Sequence, residues 1–408
     1  MALTSDLPPL RGTLRDDGDR EAREGAEELA SFVPEDFLVE EVLAYELSGE
    51  GTHRFFEIEK RGRTTLDVVR QIARQLRRKE SDIGYAGLKD KHAITRQWLS
   101  LEFATEDEVR ALDVDGVEVR RVVAHKNKLK LGHLRGNRFI LVLRNCEDGD
   151  LERCQAKLEV LQRRGVPNAF GPQRFGRDQV TPELGRALLR DDAEGFLRCF
   201  ARADATTTPE AMLDGARDGM LRRALAQWIE RGDARAGLRT LPARFLSLCV
   251  SSLQSMVFNA VLEQRLESVA SIDSIVVGDV AFLHRNGACF AVKDEGTDKE
   301  KDKAEAAAAA QRCASFEISP SGPLPGPDCL RPTADVARVE AEVLASFGID
   351  HESFGVQRPW GQKGGRRALR VPLEECSVRD LGSGALELRF ALPRGSFATA
   401  VTAELFAG

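Results

Sequence analysis

Hydrophobic and polar positions change rhythm several times along the chain, and each rhythm predicts a different element. Residues 1–30 are polar, charged and weakly periodic, which reads as a loosely ordered lead-in. From Phe37, FLVEEVLAYEL and HRFFEIEK are rich in β-branched and aromatic residues and are separated by the turn-like SGEGT, so two strands forming a hairpin-like pair are expected. In TTLDVVRQIARQLRRKE, Leu66, Val69, Ile72 and Leu76 recur at three- and four-residue steps, and Thr64 with Asp67 resembles a capping box. That spacing predicts a helix with one buried face and an arginine-rich exposed face. IGYAGLKDKHAITRQWLSLEF reads as a short strand, a tight charged loop containing Asp90, and a second strand. VEVRRVVAH and RFILVLRN are two further strands, joined by the basic KNKLKLGHLRGN.

Beyond these the texture shifts. LSLCVSSLQSMVFNAVLEQRLESV predicts an amphipathic helix with Leu246, Val250, Leu253 and Val257 on one face. DEGTDKEKDKAEAAAAAQRC suggests an exposed helix or linker, and the proline- and glycine-rich SPSGPLPGPDCLRP a turn or loop. ALELRFALPRGSFATAVTAELF returns to a strand, a turn and a short helix. Strands and helices mix without strict β-α alternation, so the class expected is α+β.

Composition narrows the partners. A length of 408 residues exceeds one ordinary domain. There is no run of eighteen apolar residues and no signal-peptide pattern at the start, so a soluble cytoplasmic protein, not a membrane one, is expected. The eight cysteines form no C-x-x-C pair and have no histidine at zinc-finger spacing, so no metal site is expected and reduced thiols are the simpler reading. A net charge of -6 argues against a dedicated nucleic-acid binder, but the distribution is uneven. From Arg120 to Arg144 there are eight Lys/Arg and no Asp/Glu, and Lys60–Lys79 is a second basic stretch. A solvated face explains either stretch alone; two of them flanking Asp90 suit an RNA groove.

The chain has no G-x-G-x-x-G after a strand, no GxxxxGK[ST], no G-x-S-x-G and no H-E-x-x-H, so nucleotide cofactors, serine hydrolysis and a glycine-rich methyltransferase loop have no support. What remains is AGLKDKHA, where Asp90 stands among Lys89, Lys91 and His92. An ionised aspartate can attack an electrophilic sugar carbon. An aspartate in a surface turn is the plainer explanation of such a string in isolation.

The string is not isolated. AGLKDKHAITRQW resembles the signature of the TruD family of pseudouridine synthases, and the resemblance continues in order through PEDFLVEE, LGHLRGNRF, NAFGPQRFG, SMVFNAVLEQRL and LPRGSFATA, six segments over about 370 residues. The resemblance implies an RNA enzyme that isomerises uridine in tRNA, in bacterial relatives uridine 13, with no cofactor and no obligate protein partner. It implies Asp90 as the catalytic aspartate and Phe37, Asn137 and Phe397 as contacts of the target nucleotide, with Phe139 shaping the same pocket. Lys89, His92, Gln173 and Arg174 would touch RNA or support loops. Each phenylalanine has a core residue as its alternative, and Asn137 a turn former. The implied architecture is a pseudouridine synthase core with an antiparallel sheet and flanking helices, residues 31–167 and 371–408, interrupted by an inserted mixed α/β TruD-specific domain at 168–370. Two features depart from the family: Asp294–Arg312 has no clear counterpart, and Ser31-Phe32-Val33 stands where a basic residue is common, which leaves the cationic partner of Asp90 open.

Overall fold

The computed structural model describes residues 2–14, 34–91, 93–268, 271–292, 299–355 and 360–408. The chain divides into two compact units, one of Ala2–Val166 with Pro372–Gly408 and one spanning Pro167–Val371.

The discontinuous unit begins with β1 (Phe37–Leu43), β2 (His53–Lys60), α1 (Thr65–Gln75), β3 (Gly84–Tyr85), β4 (Ile94–Glu102), α2 (Glu106–Arg110), β5 (Val117–His125), β6 (Leu134–Leu143) and α3 (Asp150–Arg164). After the short β7 (Val166–Pro167), the continuous unit holds α4 (Val180–Leu189), α5 (Ala193–Ala201), α6 (Pro209–Gly215), α7 (Gly219–Arg231), α8 (Ala234–Leu238), α9 (Ala243–Glu267), β8 (Val280–Leu283), β9 (Cys289–Ala291), α10 (Lys299–Ala314), β10 (Ile318–Leu324), α11 (Ala334–Ser346), β11 (Gly365–Ala368) and β12 (Arg370–Val371). The chain then returns through β13 (Glu374–Gly382), β14 (Ala385–Pro393) and α12 (Ala398–Phe406).

Among the described residues, the first unit is built on an eight-stranded sheet in the order β13-β14-β6-β1-β4-β2-β5, with β3 added against β4. It is antiparallel except where β1 runs parallel to β4. β1 and β2 therefore do not form the expected hairpin; β4 lies between them. β4, covered along nearly its whole length, takes the inner place and pairs with both. α1 forms as expected, with Thr64 Oγ1 accepting from the Asp67 amide. Its buried face, however, is Thr65, Val68, Val69, Ile72 and Ala73, while Leu66 points outward. This face packs on Phe56, Ile58, Leu99 and Leu101 of β2 and β4.

Part of the lead-in expected to be loose is docked. Thr4 is buried and bonds Glu404 of α12, the Leu10 amide donates to the Leu405 carbonyl, and Gly12 N donates to Asp150. Residues 15–33 lie outside the described set.

In the continuous unit, α9 forms the centre of a helical core with Leu184, Phe196, Leu225, Trp228 and Val343. By length and composition α9 resembles a membrane span, but Leu246, Cys249, Val250, Leu253, Val257, Phe258, Val261 and Leu262 are all buried against protein. The SPSGPLPG segment, expected as loop, contains all but the first residue of β10, an inner strand of the sheet β11-β10-β8-β9. Pro320 and Pro323 fit because β10 changes partner midway, pairing β8 through Pro320 and β11 from Ser321, so no single ladder runs through both prolines. Gly322 is there for closeness: a Cβ would lie 3.0 Å from the Phe258 ring of α9.

Candidate active site

The site is built on the face of the sheet that carries Phe37, Val39 and Glu41 of β1. Strand alternation points these three the same way, and the register sets Val39 opposite Phe139 and Glu41 opposite Asn137 on β6. Phe37 and Phe139 are 6% and 5% exposed and stack at 6.3 Å, and Phe139 stacks in turn on Phe390 of β14 at 5.3 Å. Both rings thus sit in an aromatic layer, with Asn137 and Glu41 as the next row along the same face. Gly136 keeps that row tight, since a Cβ there would lie 2.2 Å from the Leu392 carbonyl oxygen. Asp36, the aspartate of PEDF, is buried and receives a bidentate Arg144 guanidinium at 2.6 and 2.8 Å, tying the start of β1 to the end of β6.

Asp90 lies in the loop between β3 and β4 and is half-buried. Its main chain is held from below. The Lys60 ammonium, fully buried at the end of β2, donates to the Asp90 carbonyl at 2.6 Å and to the Arg63 carbonyl at 2.7 Å. The Lys89 amide donates to Thr65 Oγ1 at 2.9 Å, and that hydroxyl donates to Gln97 Oε1 at 2.9 Å. The Lys89 side chain turns inward: Nζ lies 2.7 Å from Glu41 Oε2 and donates to Asn137 Oδ1 at 2.9 Å. The approach to Glu41 is charge to charge and off the hydrogen-bonding axis, so Oε2 has no aligned donor among the described residues.

Two further loops converge on this one. The Gly132 amide donates to the Ala86 carbonyl at 2.8 Å, Arg394 Nη1 donates to the Gly132 carbonyl at 2.9 Å, and the Arg394 amide donates to the Arg135 carbonyl at 3.0 Å. The GLKD, LGHLRGN and LPRGSF segments are thereby joined. Phe397 caps α12 beyond that junction and is 40% exposed, and Leu88 and Leu131 are more exposed still.

The other expected residues fall elsewhere. His92 lies outside the described residues. Gln173 and Arg174 belong to the continuous unit, in a short turn at Pro172–Phe175. Gln173 is exposed. Arg174 donates to Ser255 Oγ at 3.0 Å and Ser251 Oγ at 2.9 Å, and its carbonyl accepts from Ser252, which bolts the turn to α9. Much of the basic strip at Arg120–Arg144 is neutralised: Arg120 pairs with Glu59, Lys126 with Glu50, Arg135 with Glu374, Arg138 with Glu375 and Arg144 with Asp36. Lys130 is exposed and has no such partner among the described residues.

Lys60, Glu41 and Thr65 were not expected at the site. A signal existed for the two charged ones. Phe56, Ile58 and Lys60 share one strand face, as do Phe37, Val39 and Glu41, so each charge sits where alternation assigns a buried residue.

Burial, the largest influence, pushes the Lys60 ammonium down to about 8 from an ordinary 10.5, the Asp90 carboxylate opposing and Lys89 adding to the shift. Between these values the unfolded chain holds more of the proton than the folded one, so stability rises with pH through that window. Below it the full penalty is present, on the order of 3 kcal/mol. Lys60→Met removes the titrating group. The difference in unfolding free energy, parent minus variant, should therefore grow as pH is raised from neutrality through 8 towards 10.5, followed by denaturant titration at each pH. A difference that stays constant would show that Lys60 titrates normally.

A family model described as tRNA pseudouridine synthase D (TruD) matches residues 31–405. The chain is 39% identical to tRNA pseudouridine synthase D of Geobacter sp. (strain M21), covering 91% of this chain and 94% of that relative. It is 40% identical to the protein of the same name from Geobacter sulfurreducens, covering 99% and 96%. A crystal structure from Methanosarcina mazei, assigned as a tRNA pseudouridine synthase D, superposes with a TM-score of 0.78 at 26% identity, covering 100% of this chain and 95% of that one.

Proposed function

The chain belongs to the TruD family of tRNA pseudouridine synthases, and from that membership we propose that Asp90 is its catalytic carboxylate and uridine 13 of tRNA its target. The observation that carries this reading is the anchoring of the Asp90 loop. A buried ammonium grips the carbonyl of Asp90 itself, and the neighbouring Lys89 is fastened at both its amide and its side chain. Such anchoring suits a group that must meet a substrate atom in one fixed geometry.

The chemistry balances without a second substrate. The C1′–N1 bond breaks, uracil turns, C5 bonds to C1′, and the proton lost from C5 is matched by one gained at N1. An ionised carboxylate at the ribose serves either route, by adding to C1′ or by assisting a glycal intermediate. Asn137 would read the edge of the extruded base, and the exposed Phe397 would stack on its face. Phe37 and Phe139, buried on the same sheet face as Asn137, would line the pocket beside it. We read Pro167–Val371 as the inserted domain and the cytoplasm as the place of action.

The test is nearest-neighbour mapping of pseudouridine in an unmodified tRNA transcript incubated with the pure protein. Pseudouridine is expected at position 13 and absent from a transcript carrying cytidine there. Formation at another position would reassign the target, and binding without any pseudouridine would leave an RNA-binding protein.

Because tRNA would be held by its backbone, affinity should fall with salt. Of the loop lysines, Lys126 holds only an exposed pairing with Glu50, and Lys130 is exposed. Neutralising Lys126, Lys128 and Lys130 together should weaken binding and flatten the plot of log affinity against log salt by about 0.7–0.9 for each phosphate that no longer meets a cation. An unchanged slope would mean that this strip faces solvent.

A further inference from the structure

We infer that the buried Lys89–Glu41 pair sets the amide of Asn137 so that it shows hydrogen-bond donors, not an acceptor, to the target base, and so favours a uracil carbonyl over a cytosine amine. The inference rests on the reading that Asn137 meets that base.

The orientation follows from chemistry. An ammonium only donates, so the Asn137 atom 2.9 Å from Lys89 Nζ must be the amide oxygen; the flipped amide would set donor against donor. Lys89 is not free to release it. Its side chain is 5% exposed, Glu41 beside it is 0% exposed, and Glu41 Oε1 accepts from the Trp98 amide at 3.2 Å. The strand register holds Glu41 and Asn137 directly opposite one another. With Oδ1 committed, the two Nδ2 hydrogens remain, and no acceptor meets them among the described residues, although Asn137 is half-buried. The ammonium on Oδ1 also polarises the amide, which strengthens Nδ2 as a donor.

That donor suits uracil at O4, where cytosine carries an amine. It also suits the turn that the base must make. Rotation about the N3–C6 axis exchanges N1 with C5 and O4 with O2, so a donor that meets O4 in the substrate orientation meets another carbonyl oxygen in the product orientation. Lys89 and Glu41 are on this account positioning residues that act through Asn137.

The experiment measures binding in an Asp90→Asn background, where turnover does not interfere, using tRNA transcripts with uridine or cytidine at the target. The starting protein should prefer uridine by about tenfold, the discrimination one well-placed base contact supplies. Adding Glu41→Met with Lys89→Met removes both charges at similar volume and frees the amide to rotate; the preference should fall within about twofold. Adding Asn137→Asp instead keeps the size, keeps the bond to Lys89 and shows an acceptor, so the preference should shift to cytidine. Retention of the tenfold preference in a double variant that melts like its parent would overturn the inference while leaving Asn137 as the reader. If Asn137→Asp leaves the preference unmoved, Asn137 does not meet the base, and the reading beneath the inference fails with it. Should the double variant not fold, Lys89→Gln takes its place, since a glutamine amide can donate or accept and so no longer fixes which way the Asn137 amide faces; the preference should again fall within about twofold, and its retention would overturn the inference.

Discussion

Replacing Asp90 with asparagine is expected to lower single-turnover formation of pseudouridine by at least about a thousandfold, on the order of 4 kcal/mol in the barrier, with tRNA affinity unchanged. Asparagine matches aspartate in shape, but its amide can neither attack the ribose nor stabilise positive charge developing there. The structure explains why the fold should tolerate the change. Lys60 grips the main-chain carbonyl of residue 90, which the substitution keeps. Lys89 is paired with Glu41, so the loss of the Asp90 charge does not leave it without a counter-ion. The buried Lys60 ammonium does lose the favourable charge of Asp90, so melting should fall modestly, while equilibrium tRNA binding stays close to the parent and the chemical step fails. The measurement is a rapid-quench time course under saturating enzyme; a rate within about tenfold of the parent would remove Asp90 from the reaction.

The second large effect concerns stability of the continuous unit. Glu340 on α11 and Arg366 on β11 are 3% and 1% exposed at their side chains and meet in a bidentate pair at 2.7 and 2.9 Å, with Arg366 Nε donating to Ser321 Oγ of β10 at 3.0 Å. Glu340→Gln turns one acceptor towards the guanidinium into an N–H group and leaves a buried cation without its counter-charge. Breaking such a pair costs about 3–5 kcal/mol, whereas replacing both members by apolar residues of similar volume is often neutral. Melting of this unit should drop by on the order of 10 °C, and amide exchange over β10, α11 and β11 should accelerate. Glu340→Met combined with Arg366→Met should recover most of the loss. A single variant melting within about 2 °C of the parent would show that the pair contributes nothing.

Local structure was readable where a local cause dominates. The Thr64 cap and the apolar spacing that follows announced α1; β2 and β4 declared themselves by β-branched and aromatic residues between turns, and α9 by its apolar stripe. The loop holding Asp90 was visible as a break between two strands. Prolines misled at β10, because composition signals a turn and cannot show that the strand changes partner between them. Charge misled in the strip from Arg120 to Arg144, because counting residues does not reveal that Glu59, Glu374 and Glu375 come from strands far along the chain.

Taken by itself, the order of residues determined the family resemblance, the kinds of most elements though not β10, and the candidate carboxylate, because motif identity, caps and periodicity are properties of neighbouring residues. Only the tertiary structure decided that β4 separates β1 from β2 and that Lys60 lies beneath Asp90. It also decided that Lys89 faces Glu41 and Asn137 instead of solvent. These depend on strand order and register, which arise from burying two faces of one sheet at once, and a linear pattern specifies which side chains want burial but not which strand will cover them.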